Sequence, residues 1–301
     1  MRQEAYFCTV KELDELGKNN IPRQLISHTH LIYSSPATLA FNSPGAEGFG
    51  VKRAGLAVPD SVMLIVSPGC CGRNTSVLSS MRAYQDRFYY LLMDETDIVT
   101  GRHLKKIPKA VAEICEGLKK KPSVVMICIT CVDALLGTDM ERVCHKAEEY
   151  AGVPVRPCYM YALTREGRKP PMVHVRQSVY SLLEPKKKKG NVVNLLGYFS
   201  PLTDDCELYD LLHGAGVKTI HEISRCKDYA QYQTMSEANF NLVLHPEARF
   251  AAEDFHDRLK IPYIELRRLY QIDKIASQYR AFAAALGVEF EDEIPRKAAE
   301  E

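Results

Sequence analysis

Two short segments of the chain carry residues that could do metal chemistry. Cys70 and Cys71 stand side by side in SPGCCGRN, directly after the apolar run SVMLIV, and Cys128 and Cys131 form a CxxC sequence in CITCVDALLGTDM. Thiolates at strand ends, near glycine turns and helix N-termini, have a lowered pKa and can bind iron or zinc. Cys71 and Cys131 fall in loops and are therefore the better ligand candidates, whereas Cys70 and Cys128 are either further ligands or core thiols.

The composition favours a metal, cluster or redox use of these thiols. The 301 residues include ten cysteines, and the N-terminal segment does not have the pattern of a signal peptide. Outside an oxidising compartment, cysteines serve metals and redox chemistry more often than disulfides. A net charge of +1 gives no field that attracts nucleic acid, and no apolar run reaches the length of a membrane span. We therefore expect a cytoplasmic protein without nucleic-acid or membrane partners.

The segments that would position the cysteines alternate between short apolar runs and amphipathic stretches. The apolar runs predict strands at 62–66, 89–93, 123–130 and 153–163, with helices between them. Such alternation is typical of a doubly wound α/β domain with a parallel sheet, in which ligands gather beyond the carboxyl ends of the strands. Both cysteine segments follow strands, so we expect them at the same edge of one sheet.

A second, smaller α/β unit is predicted after the basic run at 186–189. Its strands are expected at 191–199, 217–223, 238–246 and 261–266, again separated by helical patterns. No GxGxxG and no GxxxxGK[ST] sequence occurs in the chain, so the sequence gives no reason to expect nucleotide binding.

The predicted domain organisation follows from where the alternating pattern starts and restarts. It consists of an N-terminal segment (1–57), a cluster-binding first α/β domain (58–188), a second α/β domain (189–288) and a charged tail (289–301).

Three local features are also predicted from side-chain patterns. Thr138 is expected to cap a helix as the first member of a capping box with Glu141. Tyr150 is expected on the buried side of that helix, and the lysines at 186–189 are expected to form a solvated linker.

Five segments, in order, resemble the nitrogenase component 1 superfamily. SPGCCG, DETDIVTGRHLKKIPKAV, CITCVDALLGTDMERV and GVPVRPCYMY resemble its first domain, and NVVNLLGYF resembles the strand that opens its second. That superfamily includes the nitrogenase α and β chains, the cofactor scaffold pair and the dark-operative tetrapyrrole reductases. The resemblance covers about 35–288 as an ordered set, and it implies two Rossmann-like domains with parallel sheets, without the family's third domain.

The resemblance implies an iron–sulfur cluster, with a [4Fe–4S] cluster at a subunit interface as the simplest expectation. The family's ligand in the Gly-Cys turn falls on Cys70 or Cys71, with Cys71 favoured, and its second ligand falls on Cys131. A cysteine that the family carries further upstream has no counterpart at 42–45. The remaining ligands would come from both cysteines of the turn, from a partner subunit, or from Cys8.

The resemblance also marks two histidines as candidate catalytic residues. His245, in NLVLHPEARF, stands where the nitrogenase α chain has a cysteine ligand to its large cofactor. His174, in PPMVHVRQSVYSLL, matches a segment whose histidine faces that cofactor. Either imidazole could bind a metal or donate a proton, or be a structural residue. Arg249 is a candidate for holding an anionic substrate, or is an ordinary surface residue.

Two functions follow from the resemblance. The first is an iron–sulfur subunit of a nitrogenase-like reductase, which accepts low-potential electrons from an ATP-dependent iron-protein partner and passes them to a substrate or metallocofactor, possible substrates including a tetrapyrrole. The alternative is a non-catalytic scaffold or carrier for metal-cluster assembly. Both would act in a homo- or hetero-oligomer with a sister subunit.

Overall fold

Two four-stranded parallel sheets form the framework of the protein in a computed structural model. The structure describes residues 9–17, 20, 44–69, 79–130, 132, 136–160 and 169–289. Every strand pairing within both sheets is parallel, and helices cover the sheets. The predicted α/β class with two doubly wound parallel sheets is confirmed. The domain boundaries stay a prediction.

The first sheet has the strand order β2-β1-β3-β4. Its strands are β1 (Val62–Ser67), β2 (Phe88–Leu92), β3 (Val125–Ile129) and β4 (Val155–Tyr159). The helices described up to this sheet's last connection are α1 (Val10–Leu16), α2 (Pro44–Gly55), α3 (Glu95–Thr100), α4 (Arg102–Gly117), α5 (Met140–Ala151) and α6 (Pro171–Tyr180).

The central strands β1 and β3 are buried along their whole length because helices pack on both faces. Alternate residues of a strand point to opposite faces. On one face, Leu64 and Ile127 pack in a core with Ile107 of α4 and Cys144 of α5. The opposite face packs against α2 and α6. Fully buried parallel strands read as continuous apolar runs, which is why the sequence located them well.

The second sheet repeats this plan with the order β6-β5-β7-β8. Its strands are β5 (Val192–Leu196), β6 (Thr219–His221), β7 (Phe240–Val243) and β8 (Tyr263–Glu265). Its helices are α7 (Glu207–Gly214), α8 (Tyr229–Gln233), α9 (Arg249–Leu259) and α10 (Ile272–Leu286).

One core joins the two sheets, with α6 at its centre. Met63 of β1 and Phe255 of α9 belong to the same cluster of buried side chains. The ring of Tyr180, at the end of α6, meets the ring of Phe255 edge-on at 5.3 Å between centroids. The Tyr232 hydroxyl donates to the Val179 carbonyl at 2.5 Å. Helix α6 therefore packs against elements of both sheets, and its residues face one sheet or the other.

Two local predictions are wrong in detail. Asp139, not Thr138, caps α5, because its carboxylate accepts from the Arg142 amide at 3.1 Å. Tyr150 is 56% exposed, because it lies off the helix face on which Cys144, Ala147 and Ala151 pack against the core. The basic run is solvated as predicted, since Lys186, Lys187 and Lys189 are exposed, and Lys188 in addition donates to the Ser236 carbonyl at 2.6 Å.

The segment DETDIVTGRHLKKIPKAV folds into two consecutive helices, α3 and α4, anchored on one buried carboxylate. Asp94 and Asp97 form a reciprocal capping box at the start of α3. Lys106 and Arg102 hold the Asp97 carboxylate at 2.8 and 2.6 Å, and these hydrogen bonds keep the pKa of Asp97 well below its usual range. Arg102 and Lys106 are therefore paired with Asp97 of the same segment and stabilise the fold.

Candidate functional site

Each sheet has a point where the chain reverses its direction of winding, and the candidate residues follow the strands at these points. From β1 the chain adds β2 on one side and then β3 on the other, and from β5 it adds β6 and then β7 in the same way. Ligands of doubly wound sheets bind beyond the carboxyl ends of the strands at such switch points. In the first sheet these strands are β1 and β3, and in the second they are β5 and β7.

The three candidate ligand cysteines, Cys70, Cys71 and Cys131, lie outside the described residues. The structure does describe the strand ends that precede them. Val66 pairs with Ile129, so the next residues along the two strands, Ser67 and Thr130, are neighbours at the first switch point.

The hydroxyl groups of Ser67 and Thr130, at this strand end, lack hydrogen-bond partners among the described residues. Both side chains are buried. A buried hydroxyl without a partner loses hydration without compensation, so native proteins rarely leave one. Two such hydroxyls next to the predicted cysteine loops fit a group that accepts hydrogen bonds there, as the sulfur atoms of a cluster do.

His245 is the second residue after β7, at the second switch point. Its Nδ1 accepts a hydrogen bond from the Glu247 amide at 3.3 Å and lies 3.7 Å from the Glu247 carboxylate. The side chain is about one third exposed. Burial lowers the pKa of His245, and Arg176 and Arg268 lower it further, while Glu247 opposes them. An imidazole whose Nδ1 accepts from an amide carries its proton on Nε2, so His245 presents a donor from that nitrogen.

Gly197 allows His245 to come this close to the end of β5. Its φ is +142°, and a Cβ added there would lie 2.8 Å from the His245 backbone nitrogen and 2.9 Å from the His245 Cβ. Only glycine fits both the conformation and the approach. Tyr198, the next residue, places its ring 5.8 Å from the His245 ring in an edge-on arrangement.

Arg176 connects α6 to this second switch point. Its guanidinium donates to the Gly197 carbonyl at 2.7 Å, to the Met172 carbonyl at 2.8 Å and to the Glu247 carboxylate at 2.9 Å. The residue is 5% exposed, and its Nε has no hydrogen-bond partner among the described residues. Arg176 thus fixes Glu247, which in turn contacts His245.

His174 lies two residues earlier on α6 and faces the first sheet. Its ring meets the Tyr159 ring at a right angle, 4.3 Å between centroids, and its Nδ1 is 3.3 Å from the Ser178 hydroxyl. Ser178 donates its own proton to the Pro157 carbonyl at 2.9 Å, so it accepts from His174. The proton of His174 is then on Nδ1, and Nε2 keeps a free lone pair.

The environment of His174 favours a neutral ring beside a small cavity. Burial, with a smaller contribution from Lys169, lowers the pKa of His174 to about 4. The ring lines a cavity of about 280 Å³ together with Thr138 and Asp139, which follow Cys131 in the sequence. His174 is therefore a neutral histidine that lines a cavity on the first sheet's side.

The structure does not bring the two histidines together on one surface. Residues two apart on a helix project in nearly opposite directions, so His174 turns to the first sheet and Arg176 to the second. The contacts of Arg176 and Glu247 place His245 on the second side. Nothing in the sequence predicts different tautomers for the two histidines, and their hydrogen bonds show the difference. The Nε2 atom of His174 carries a lone pair, whereas the Nε2 atom of His245 carries a proton.

Arg249 is already paired within the fold. Its guanidinium binds the two carboxylate oxygens of Glu265 at 2.8 and 2.7 Å, so it is not a free anion site. Arg176 and Glu247 were missed by the sequence analysis. The available signal was a cation inside the apolar helix PMVHVRQSVY, since a charge there must have a buried partner.

Two features are absent from the described part of the chain. No cluster of three or more His, Cys, Asp or Glu side chains suited to a metal ion occurs there. None of the helices described is long and apolar enough to cross a membrane. Cys144 and Cys158 are buried in the cores, as expected of structural thiols, and burial raises their pKa.

Comparison with known proteins yields one family and several relatives. The family model described as nitrogenase component 1 type oxidoreductase matches residues 47–301. The nitrogenase iron-molybdenum cofactor biosynthesis protein NifE of Nostoc sp. (strain PCC 7120) is 27% identical over 239 residues, covering 76% of this chain and 49% of that protein. NifE of Klebsiella pneumoniae is 26% identical over 266 residues, covering 81% of this chain and 58% of that protein.

Solved structures support the same fold. The structure titled "Nitrogenase Cp1 at pH 6.5" superposes with a TM-score of 0.62 at 17% identity, covering 83% of this chain and 59% of that chain. The structure titled "Nitrogenase Cp1 at pH 5" gives a TM-score of 0.56 at 22% identity, covering 83% and 53%. The chain thus spans about half the length of the proteins it matches.

Proposed function

The chain belongs to the nitrogenase component 1 type oxidoreductase family, and from that premise we propose that it is a scaffold or carrier on which a metal cluster is assembled before transfer. The observation that carries this proposal is the description of its curated relatives: the NifE proteins are described as acting in biosynthesis of the iron-molybdenum cofactor. The sequence resemblance alone favoured a reductase subunit, and these relatives favour the alternative instead.

The residues proposed to hold a resident iron–sulfur cluster are Cys71 and Cys131, with Cys70 in support. The unpaired hydroxyls of Ser67 and Thr130, at the ends of the two strands that lead to these cysteines, are the donors that fit such a group. A cluster bound there would supply one-electron chemistry and sulfide ligands. We propose a [4Fe–4S] cluster shared with a sister subunit, because three cysteines of this chain leave a fourth position open.

The second switch point is proposed to receive the cargo rather than to hold it permanently. A histidine at 245 that donates from Nε2 binds a metal less firmly than the thiolate that the nitrogenase resemblance places there. Weak binding of a metal cluster at this position suits a carrier, because a carrier has to release the cluster to another protein. His174, with its free Nε2 lone pair, is proposed as a ligand or proton acceptor near the first switch point.

The reductase interpretation makes a different demand on the same residues. It requires an ATP-dependent iron-protein partner that delivers electrons to the cluster, and a substrate that is chemically reduced. A scaffold can share that partner and yet release its cargo unreduced. The predicted partners and the cytoplasmic location stay proposals under both interpretations.

The first experiment asks whether the chain binds a cluster at all. The full chain is purified under anaerobic conditions, and iron and acid-labile sulfide are measured per chain together with the electron paramagnetic resonance spectrum of the reduced protein. We expect stoichiometric iron and sulfide and a cluster signal. Colourless protein without stoichiometric iron, prepared with and without a coexpressed sister subunit, contradicts the proposal.

A second experiment separates the scaffold from the reductase. The loaded protein is incubated with a cofactor-deficient nitrogenase component 1, and iron is followed from one protein to the other after separation. We expect iron to be transferred without turnover of a reducible substrate. Sustained substrate reduction with an ATP-dependent iron protein, and no transfer, would instead establish the reductase.

A further inference from the structure

A cavity of about 580 Å³ lies between the two sheets, beside the segments at 199–201 and 223–227 that follow β5 and β6. Pro59 and Asp60, which precede β1, and Tyr84, which precedes β2, form its wall on the first sheet's side. The cavity is therefore at the amino end of β1, about 20 Å from the carboxyl end that leads to the cysteines, since a strand rises about 3.3 Å per residue. Its size is within the range of small-molecule sites.

The wall of the cavity carries an excess of positive charge. Three cationic side chains line it, namely Arg53, Arg87 and Lys227, against one carboxylate, Asp60. Asp60 is already paired with Lys120 at 2.7 Å. Arg87 is used structurally, because its guanidinium donates to the Leu56 carbonyl at 2.8 Å and to the Ser61 hydroxyl at 2.7 Å.

The other two cations have no partner. Neither the Arg53 guanidinium nor the Lys227 ammonium forms an ion pair or a side-chain hydrogen bond with any described residue. Arg53 belongs to α2, on the first sheet's side, and Lys227 to the segment after β6, on the second sheet's side. Two free cations from opposite walls of one cavity are placed to bind one anion between them.

Two further features of the wall point to an organic ligand. The Ser224 hydroxyl is buried, lines the cavity and has no hydrogen-bond partner in the described part of the chain. Tyr84 and Phe199 contribute aromatic surface. A bare phosphate ion would leave most of the volume and all of the aromatic surface unused.

We propose that this cavity binds a small organic dianion, with a planar apolar body and carboxylate or phosphate groups, held between Arg53 and Lys227. Nothing in the proposed cluster chemistry requires this site, and its ligand would hold the two sheets together from the side opposite the cysteines. Because the anion binds only the folded arrangement, it should also raise the melting temperature.

The test uses four probes on the full chain at low ionic strength. Isophthalate and phenyl phosphate carry a planar body with carboxylate or phosphate groups, inorganic phosphate has the charge alone, and phenol has the ring alone. Binding is measured by calorimetry and by thermal shift. We expect at least one organic anion to bind and to stabilise the protein, with a weaker effect of inorganic phosphate and none of phenol; which anion binds better identifies the preferred group.

Variants decide whether the site is the one described. Arg53→Gln and Lys227→Gln should each weaken binding of the organic anion by about ten-fold or more, the loss expected for a charge-assisted hydrogen bond. Lys105→Gln, an exposed lysine of α4 outside the cavity, is the matched control and should bind like the wild type. Circular dichroism checks that all three fold. No binding of either organic anion, tighter binding of inorganic phosphate, or equal affinities in all variants would overturn the proposal.

Discussion

Burial fixes the protonation of His174, and hydrogen bonding fixes where its proton lies. The ring is held between Tyr159 and Ser178, and its pKa is lowered to about 4. At neutral pH it is therefore an uncharged imidazole with a lone pair on Nε2. A residue in this state can bind a metal or accept a proton, and it cannot act as a general acid near neutrality.

The first prediction concerns the pH dependence of stability caused by His174. A ring with a pKa of about 4 when folded and 6.5 when unfolded binds fewer protons in the folded state between these pH values. Its contribution is therefore fully present above pH 6.5 and is lost as pH falls towards 4, by at most about 3 kcal/mol. The free energy of unfolding, measured by urea titration at several pH values, should fall less steeply in His174→Gln.

The control for His174 is another histidine outside the cores. His145 is an exposed residue of α5, paired with Glu149 at 3.5 Å. Because substitutions at exposed positions are usually close to neutral, His145→Gln should leave the free energy of unfolding within about 0.5 kcal/mol of the wild type. Burial lowers the pKa of His221 and His245 as well, so only the difference between the wild type and His174→Gln reports on this ring. If the free energy of unfolding of the wild type and of His174→Gln had the same pH dependence, the lowered pKa would be wrongly assigned to His174.

The second prediction tests the cysteines at the first switch point. Cys131→Ala should abolish the proposed cluster, because it removes the proposed thiolate ligand two residues after β3 in the sequence. Cys144→Ala removes a thiol that is 2% exposed in the core of the first sheet, so it should lower the free energy of unfolding by about 1–2 kcal/mol and leave the iron content unchanged. Iron per chain after anaerobic purification, with the unfolding free energy, distinguishes the two. Iron that survives Cys131→Ala would show that this ligand is wrongly assigned.

At the scale of the secondary-structure elements, the β5–β7 edge depends on one glycine. Gly197 combines a φ of +142° with a backbone contact to His245 and accepts the hydrogen bond from Arg176. The clash of an added Cβ would be with backbone atoms, which cannot rotate away as a flexible side chain can. The turn after β5 and the turn after β7 are therefore in direct backbone contact.

The third prediction follows from this contact. Gly197→Ala should lower the free energy of unfolding by about 1–3 kcal/mol, the usual cost of a strained backbone position, and more if the His245 backbone has to move. Gly190→Ala is the matched control, since a Cβ there meets nothing within 4 Å. It should be neutral or slightly stabilising. Denaturant titration of the two variants measures the difference, and equal effects would show that the close approach does not constrain the edge.

At the scale of the whole molecule, Arg176 is one of the polar links between the sheets. It lies on α6, which packs against β4, while its hydrogen bonds reach Gly197 and Glu247 beyond the ends of β5 and β7. A buried charge with its partner removed is strongly destabilising, because the partner is left unpaired away from water. The relative position of the two sheets therefore depends on this pair as well as on the shared apolar core.

The fourth prediction is made for this link. Arg176→Met should lower the free energy of unfolding by about 3–5 kcal/mol. The double variant with Glu247→Gln should lose less than the sum of the single variants, giving a coupling of about 0.5–3 kcal/mol. Lys169→Met is the control, since Lys169 contacts the Phe250 ring from an exposed position at 4.8 Å and should contribute less than about 1 kcal/mol. Additive losses in the double-mutant cycle would contradict a direct Arg176–Glu247 link.

Much of the fold was predictable because the buried strands are continuous apolar runs. The pattern located β1, β3, β5 and β7 to within a few residues, and the order of cysteine, glycine and aspartate segments indicated the family that the comparison then matched. Local details were less predictable. Thr138 and Asp139 are both good caps, and only the backbone path decided that Asp139 is used.

By itself, the sequence determined two parallel α/β sheets and the strands after which the candidate ligands stand, because hydrophobic period and strand–helix alternation are local properties of the chain. Only the tertiary structure decided what depends on contacts between distant segments. It turned His174 and Arg176 to opposite sheets, gave His174 a lone pair and His245 a proton, and paired Arg249 internally. It also brought Arg53 and Lys227, whose charged groups have no partner among the described residues, to one cavity. Arg53 and Lys227 are about 170 residues apart in the sequence, and no local sequence pattern indicates that they line the same cavity.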